Sequence, residues 1–150
     1  MPKPFDLTRH LPHLLRRAHF EADAVFAHVY GHAVTSRQLA LVTVVGMQPG
    51  ASQSSVAQTI GLDLNTCSDL VARTIAKGWL RRERSSVDGR SYCLYLTEAG
   101  AVIRDEGLAF APGYQDKVFA RLSRSERDSL RQLLRKMLGF DQESKSKPRP

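Results

Sequence analysis

The stretch that decides the fold runs from Gly61 to Gly100 and reads GLDLNTCSDLVARTIAKGWLRRERSSVDGRSYCLYLTEAG. Its first half carries apolar residues at a spacing of three to four, which indicates an amphipathic helix. In its second half, apolar and polar residues alternate on the far side of Asp88-Gly89, a pair typical of a tight hairpin turn. The sequence therefore predicts a helix followed at once by a two-stranded β-hairpin.

Another helix is predicted directly before this stretch. Ser52 can cap a short helix that Gly61 ends, and Ala57 stands four residues before that glycine. This is the spacing of a helix-turn-helix, because a small residue lets the two helices touch and a glycine adopts the left-handed turn. The second helix is predicted from about Asn65 to Lys77. An ordinary helical hairpin has similar spacing, but the β-hairpin that follows favours a winged helix-turn-helix.

The exposed side of the second helix is predicted to carry short polar groups and one long base. Such a face suits a helix that lies in the DNA major groove. Together with two polar residues at the start of the preceding helix, the predicted DNA contacts are Ser52, Gln53, Asn65, Thr66, Ser68, Asp69, Arg73 and Thr74.

The hairpin adds basic residues to this surface. Arg90 is predicted at the tip of the wing and Arg84 on the strand that leads to it. An arginine at the tip can enter the minor groove, where narrow A·T-rich stretches concentrate negative potential. We expect Asp88 to fix the Arg90 guanidinium by a charge-assisted hydrogen bond. The alternative is a solvated turn with an incidental ion pair.

Helices are predicted on both sides of this unit. An apolar stripe over residues 7–30 predicts a first helix that Gly31 stops, Thr97 can cap a long helix that Pro112-Gly113 should kink or interrupt, and a capping box begins the last helix at Ser123. These helices carry more apolar surface than a small central unit can cover, so we expect them to pack together across a dimer. The predicted fold is mainly α with a small β-hairpin wing: an N-terminal dimerisation helix that forms part of a ligand cleft (1–34), a winged helix-turn-helix (35–96), C-terminal dimerisation helices (97–140) and a disordered tail (141–150).

Composition narrows the function classes. The 150 residues include 22 Lys and Arg against 15 Asp and Glu, and the net charge of +7 favours a polyanionic partner such as DNA. No apolar run is long enough for a membrane span, the N-terminus lacks the pattern of a secretory signal, and the two cysteines form no CxxC pair. A cytoplasmic, reduced protein is expected. No GxSxG, HExxH, P-loop or GxGxxG motif supports an enzyme.

The 61–100 stretch resembles the MarR family of bacterial winged-helix regulators. The resemblance is carried by Asp-x-Arg in the wing, here Asp88-Gly89-Arg90, and by the following Leu-Thr-x-x-Gly, here Leu96, Thr97 and Gly100. It extends more loosely over about residues 7–140. It implies a homodimer with interlocking terminal helices, a pseudo-palindromic operator, and repression that a small molecule, often a phenolic or aromatic acid, relieves. Asp69 departs from the family, whose recognition helices often have a basic residue there; an acid could accept from a cytosine amino group.

The first helix suggests where an effector could bind. Arg16, Arg17, His19 and Phe20 could line a cleft that offers cationic donors and an aromatic wall to an anionic ring compound. The stretch resembles family members that regulate hydroxycinnamate and benzoate breakdown, which implies an aromatic acid or its CoA thioester as effector. The alternative is a solvated basic helix face. No cofactor is implied.

Other functions stay open at this point. His28 and His32, four residues apart on a predicted helix, could share a metal ion, although no further ligands complete a set. Cys67 and Cys93 could sense oxidants, although both are better interpreted as small hydrophobic residues. The basic helix-turn-helix also fits an architectural DNA-binding protein with no effector.

Overall fold

The computed structural model describes residues 5–140 and divides the chain into two compact units, Met1–Tyr114 and Gln115–Pro150. The predicted tail at 141–150 lies outside the described residues. Within residues 5–140, a 3₁₀ turn at Leu7–Arg9 precedes α1 (Leu11–Tyr30), α2 (Ser36–Met47), α3 (Gln53–Ile60), α4 (Leu64–Ala76), β1 (Leu80–Arg84), β2 (Tyr92–Leu96), α5 (Glu98–Val118) and α6 (Arg124–Met137). The mainly α fold with a two-stranded antiparallel wing is confirmed.

The helices begin and end where short-range hydrogen bonds satisfy their terminal backbone groups. Thr35 and Gln38 form a reciprocal capping box at the start of α2. The Ser52 hydroxyl accepts from Ser55 N at the start of α3, and the Asp63 carboxylate accepts from Thr66 N at the start of α4. The second helix of the pair therefore begins at Leu64, one residue before the predicted start.

The turn between α3 and α4 has the geometry that the sequence predicts. Gly61 adopts φ +80° and ψ +32°, in the left-handed region that costs other residues energy. Ala57 is buried, and its carbonyl accepts from the backbone N–H groups of both Gly61 and Leu62 at 2.9 Å. The helix-turn-helix is thereby confirmed.

The core lies in the first unit, where α2, α3 and α4 pack on one another and on the two strands. Burial of these apolar side chains is the main stabilising contribution to the unit. The core residues are Leu41, Val42, Val45, Val56, Ala57, Cys67, Leu70, Val71, Leu80 and Leu94.

The wing is anchored at its base and exposed at its tip. Leu80 pairs with Leu96 at the base, and Arg84 pairs with Tyr92 at the far end of the ladder. Leu80 and Leu94 are buried in the core, whereas the remaining four residues of β1 are exposed. The strands therefore hold the tip away from the core by a rigid base.

The Leu-Thr-x-x-Gly segment joins the wing to α5. The Thr97 hydroxyl donates to Gly78 O at 2.6 Å and accepts from Gly100 N at 3.0 Å, so it caps α5 and ties this helix to the end of α4. Thr97 N donates to Trp79 O. Gly100 packs directly on that Trp79 carbonyl, where a Cβ atom would overlap the oxygen. The motif is thus a packing requirement of the scaffold.

Gly100→Ala is expected to destabilise the protein by about 1–3 kcal/mol, because its methyl group overlaps backbone that cannot rotate away. Gly113→Ala in the same helix is the matched control: its added Cβ meets nothing within 4 Å, so we expect a gain of up to about 1 kcal/mol from helix propensity. Urea unfolding followed by circular dichroism measures both. Equal stability of the two variants would contradict this account of the motif.

Helix α5 differs from its prediction at Pro112. The helix continues through this residue to Val118, so the predicted interruption is wrong. Packing on both sides of the proline stabilises the helix: Phe110 and Tyr114 make edge-to-face contacts with Tyr30, and the Tyr114 hydroxyl donates to Ala22 O. Burial raises the pKa of both tyrosines.

The second unit ends in α6, which is strongly amphipathic. Ser123 and Glu126 form the predicted capping box, and Arg127 donates to Asp116. Several large apolar side chains of this unit remain exposed: Leu133, Met137, Leu138 and Phe140. Among the described residues, no helix is both long and apolar enough to cross a membrane.

Candidate DNA-binding surface and adjoining cavity

Helix α4 presents a polar face to solvent. Asn65, Ser68, Asp69 and Arg73 are exposed, as predicted from the spacing of the apolar residues. Thr74 was expected on the same face, and this prediction is wrong. Thr74 is fully buried, and its hydroxyl donates to Leu70 O at 2.7 Å within the helix.

The remaining residues predicted on the helix pair serve mainly to hold it in place. Thr66 is half-buried and donates its hydroxyl and its backbone N–H to the Asp63 carboxylate. These bonds lower the pKa of Asp63, so the cap is present at neutral pH and is lost as the pH falls through that lowered pKa. Ser52 caps α3, and the Gln53 carbonyl faces the Cys67 thiol at 3.8 Å.

The turn at the wing tip is fixed by side chains that bind backbone. Asp88 Oδ1 accepts from Arg90 N at 3.0 Å, and the Ser85 hydroxyl accepts from the N–H groups of Val87 and Asp88. The expected bond from Asp88 to the Arg90 guanidinium is absent, so that prediction is wrong. The carboxylate binds the nearer backbone N–H in an Asx turn. Asp88 therefore positions the turn and leaves the Arg90 head available.

Arg90 is the one arginine of the tip whose guanidinium has no partner among residues 5–140. Arg84, by contrast, donates to Gly89 O at 3.3 Å and stabilises the turn from its strand. A guanidinium on a rigid, solvent-exposed turn is available for an external anion.

Tyr92 organises the arginines of β1. The guanidinium groups of Arg82 and Arg84 lie 4.9 and 6.0 Å from the centre of the Tyr92 ring, a cation–π arrangement on both. Arg81 stacks on Tyr95 at 4.6 Å and pairs with Glu83. The charge of Arg82, which the sequence did not single out as a contact, thus lies close to that of Arg84 near the tip.

Asp88→Ala is expected to bind DNA about fivefold more weakly than Asp88→Asn, the effect of one net hydrogen bond of about 1 kcal/mol. Both variants lose the same negative charge, but only asparagine keeps an oxygen that can accept from Arg90 N. Fluorescence anisotropy with one DNA duplex gives the two Kd values. Identical Kd values would show that the Asx turn has no role in presenting Arg90.

A cavity of about 380 Å³ adjoins the helix-turn-helix within the first unit. It lies between the end of α1, the α1–α2 loop, the start of α2 and one side of α4. Its volume falls in the range of small-molecule sites in proteins. The lining residues are Asp23, Phe26, Ala27, Gly31, His32, Val34, Thr35, Ser36, Arg37, Leu70 and Arg73.

The charges around this cavity are unbalanced. Asp23 is its one lining carboxylate, and that group already accepts from the Ser36 hydroxyl at 2.7 Å and lies 3.4 Å from His19 Nε2. Arg37 and Arg73 contribute two guanidinium groups. The arrangement therefore favours a ligand that carries negative charge.

The four residues predicted to bind an effector lie on α1 outside the lining of this cavity. Arg16, Arg17, His19 and Phe20 are all exposed, and among them His19 comes nearest through its contact with Asp23. The cavity depends on the α1–α2 loop, where Gly31 adopts φ +71°. Sequence spacing gave no signal for it, because its walls come from three separated segments.

The metal and redox alternatives lose their structural basis. Helix α1 ends at Tyr30, so His28 and His32 do not share a helix face as predicted. No group of three or more His, Cys, Asp or Glu side chains within 5–140 could hold a metal ion. Cys67 is buried, and burial raises the pKa of its thiol, which lowers the fraction of reactive thiolate.

Lys77 connects the loop beside the cavity to the end of α4. Its ammonium group donates to Ala33 O at 2.6 Å and to the side-chain oxygen of Gln38 at 3.1 Å. Gln38 is buried and is also the partner of Thr35 in the α2 capping box. The loop and the candidate recognition helix are thereby held in one hydrogen-bonded network.

Comparison with known proteins agrees with this geometry. A sequence model described as MarR family matches residues 30–91, the segment that contains the helix-turn-helix and most of the wing. A transcriptional regulatory protein for the hcr operon of Thauera aromatica is 33% identical over 135 residues, which cover 87% of this chain and 80% of that protein. The chain belongs to the MarR family.

Solved MarR-type structures share its architecture. The PcaV regulator of Streptomyces coelicolor, solved in complex with its natural ligand, has a TM-score of 0.84 at 27% identity and covers 90% of this chain and 96% of its own. BpsR of Bordetella bronchiseptica, whose DNA binding is regulated by 6-hydroxynicotinic acid, has a TM-score of 0.79 at 27% identity, with coverages of 86% and 98%. As a MarR-family transcriptional regulator, the chain uses its winged helix as the DNA-binding element.

Proposed function

We propose that this MarR-family protein is a homodimeric repressor that an anionic aromatic compound releases from a pseudo-palindromic operator. The observation that carries the proposal is the juxtaposition in one compact unit of a DNA-reading helix and a cavity with excess positive charge. The same helix, α4, supplies the exposed polar face and part of the cavity wall. A ligand in the cavity therefore lies in contact with the element that reads DNA.

The DNA contacts are proposed on the exposed residues of α4 and on the wing. Short polar side chains and Asp69 face the major groove, with the Asp69 carboxylate able to accept from a cytosine amino group. Arg90 enters the minor groove, and Arg84 with Arg82 lies near the phosphate backbone. Ser52 and Gln53, at the start of α3, reach the backbone beside the recognition helix.

The dimer is proposed from apolar surface at both ends of the chain. Exposed apolar groups of this size mark protein interfaces in soluble proteins. They lie on the first helical turns of the first unit and on α6 of the second: Phe5, Leu7, Leu11, Leu14, Leu15, Leu133, Met137 and Leu138. A two-fold dimer would present two wings to two operator half-sites.

The effector is proposed to be an aromatic acid. PcaV was solved with its natural ligand and BpsR responds to 6-hydroxynicotinic acid, and both share this fold. Phe26 offers an aromatic wall to the cavity, and Arg37 offers a cation to a carboxylate. The pantetheine and nucleotide parts of a CoA thioester exceed 380 Å³ and would extend over exposed α1, past Arg16, Arg17, His19 and Phe20.

One experiment tests the proposal as a whole. Purified protein is titrated against duplex fragments from the region upstream of its own gene, with and without benzoate, 4-hydroxybenzoate, 6-hydroxynicotinate and benzoyl-CoA. We expect a footprint of two half-sites about one helical turn apart and release by at least one acid or thioester. Sequence-independent binding that none of these compounds changes would favour an architectural DNA-binding protein instead.

A further inference from the structure

We infer that Arg73 is shared between DNA and effector, so that an anion in the cavity competes directly with a DNA phosphate for its guanidinium. This inference rests on the proposed function and assigns the residue through which release occurs. The juxtaposition that supports it is specific: Arg73 belongs to the recognition helix and also lines the cavity.

The position of Arg73 on α4 explains how it can reach both ligands. The buried residues Cys67, Leu70 and Val71 define the inner side of the helix. At 100° per residue, Arg73 lies at the edge of the exposed face, on the flank next to Leu70. Leu70 is the other α4 residue that lines the cavity. A long side chain at this edge can extend outward to DNA or sideways into the cavity.

The hydrogen bonds of Arg73 leave its terminal groups available. Its Nε donates to Asp69 O at 3.3 Å, one turn earlier on the same helix. Within residues 5–140, neither terminal nitrogen has a hydrogen-bond or ion-pair partner. A guanidinium matches the bidentate geometry of carboxylate and phosphate alike. It cannot make a full set of bonds to both at once.

The cavity gives an anion a reason to recruit this guanidinium. Arg37 lies on the α2 side of the same cavity, and the one lining carboxylate, Asp23, is engaged by Ser36 and His19. Two guanidinium groups in one cavity repel each other until an anion lies between them. A bound carboxylate therefore draws Arg73 toward Arg37, and each half-site loses a phosphate contact on release.

The test compares Arg73→Gln with Arg37→Gln, a variant that loses the same charge from the cavity but not from α4. Operator Kd is measured with and without saturating acid, using whichever of benzoate, 4-hydroxybenzoate and 6-hydroxynicotinate binds wild type most tightly. The acid alone is titrated by calorimetry, with the amide of that acid as the neutral control.

We expect the acid to raise the wild-type operator Kd at least tenfold and the amide to leave it unchanged. In Arg73→Gln, operator binding is weaker from the start, its salt slope falls by about one per contact, and the acid changes Kd by less than threefold. In Arg37→Gln, the acid binds more weakly, but at saturation its full effect on operator Kd remains. Because coupling is reciprocal, operator lowers wild-type acid affinity by the same factor.

The outcomes separate the two levels of the argument. If saturating acid releases wild type and Arg73→Gln by the same factor, the shared arginine is wrong and the repressor proposal stands. If wild type binds operator but none of the acids affects it, the effector proposal fails and this inference fails with it. Loss of coupling in Arg37→Gln at saturation would likewise overturn the assignment to Arg73.

Discussion

Replacing Leu133 and Met137 together by glutamine is expected to raise the operator Kd by at least about 100-fold. The two side chains lie four residues apart on α6, and each is about 60% exposed or more in the single chain. If they pack against a second copy, two buried amides weaken that interface. A monomer then holds one half-site, and the gain from joining two binding events on one molecule, about 10²–10⁴, is lost.

Glutamine is chosen because it preserves helix propensity and the net charge of +7. A weaker affinity then cannot come from altered electrostatic attraction to DNA. Met47→Gln is the matched control, since Met47 is 75% exposed but ends α2 rather than lying on a terminal helix. Sedimentation velocity reports the oligomeric state and anisotropy the Kd. A double variant that stays dimeric and binds operator as wild type does would contradict the proposed interface.

Arg90→Ala is expected to weaken operator binding by about 1–3 kcal/mol, or about 5- to 150-fold. The guanidinium has no partner within the described chain, so its removal leaves no unpaired group in the protein and the loss reports its contact with DNA. Arg90→Lys keeps the charge but not the planar fork, and should fall between the two.

Arg121→Ala is the matched control for charge, because Arg121 is an exposed arginine of the second unit and lies far along the chain from the wing. Measuring Kd from 50 to 200 mM salt separates the effects: the slope of log Kd against log salt should fall for Arg90→Ala and stay at the wild-type value for Arg121→Ala. Equal losses in both variants would mean that net charge alone, and not the wing, sets the affinity.

Local signals account for the parts of the fold that the sequence could predict. The caps at Thr35, Ser52 and Ser123 join residues three apart, and the hairpin depends on one Asp-Gly turn between alternating strands. The left-handed conformation of Gly61 follows from the same local logic. Each of these features is determined within one helical turn or one strand pair, so no knowledge of tertiary packing was needed.

The errors occurred where one side chain had two acceptable partners or two acceptable faces. Thr74 lies on the buried side of α4, because a threonine can satisfy its hydroxyl on its own helix carbonyl and so tolerates the core. Asp88 chose a backbone N–H two residues away over a longer, more flexible guanidinium. Pro112 did not interrupt α5, because aromatic contacts on both sides of it stabilise the helix.

The cavity was beyond reach of sequence reasoning for a different reason. Its walls combine residues from about position 23 to position 73, and their proximity depends on how the Gly31 loop turns α1 back toward α2. A search for cationic and aromatic residues found Arg16 to Phe20, which share a composition suited to an anion but lie elsewhere on α1. Composition identified the kind of ligand site expected and not its place.

The join at Thr97 and Gly100 separates a part of the molecule that can vary from a part that cannot. Trp79, Thr97 and Gly100 lock the base of the ribbon to α5 through backbone contacts, whereas residues 86–90 contact little beyond their own loop. Insertions or exchanged tips at 86–87 should leave the scaffold folded. A library of loops grafted there would retune target preference without rebuilding the protein.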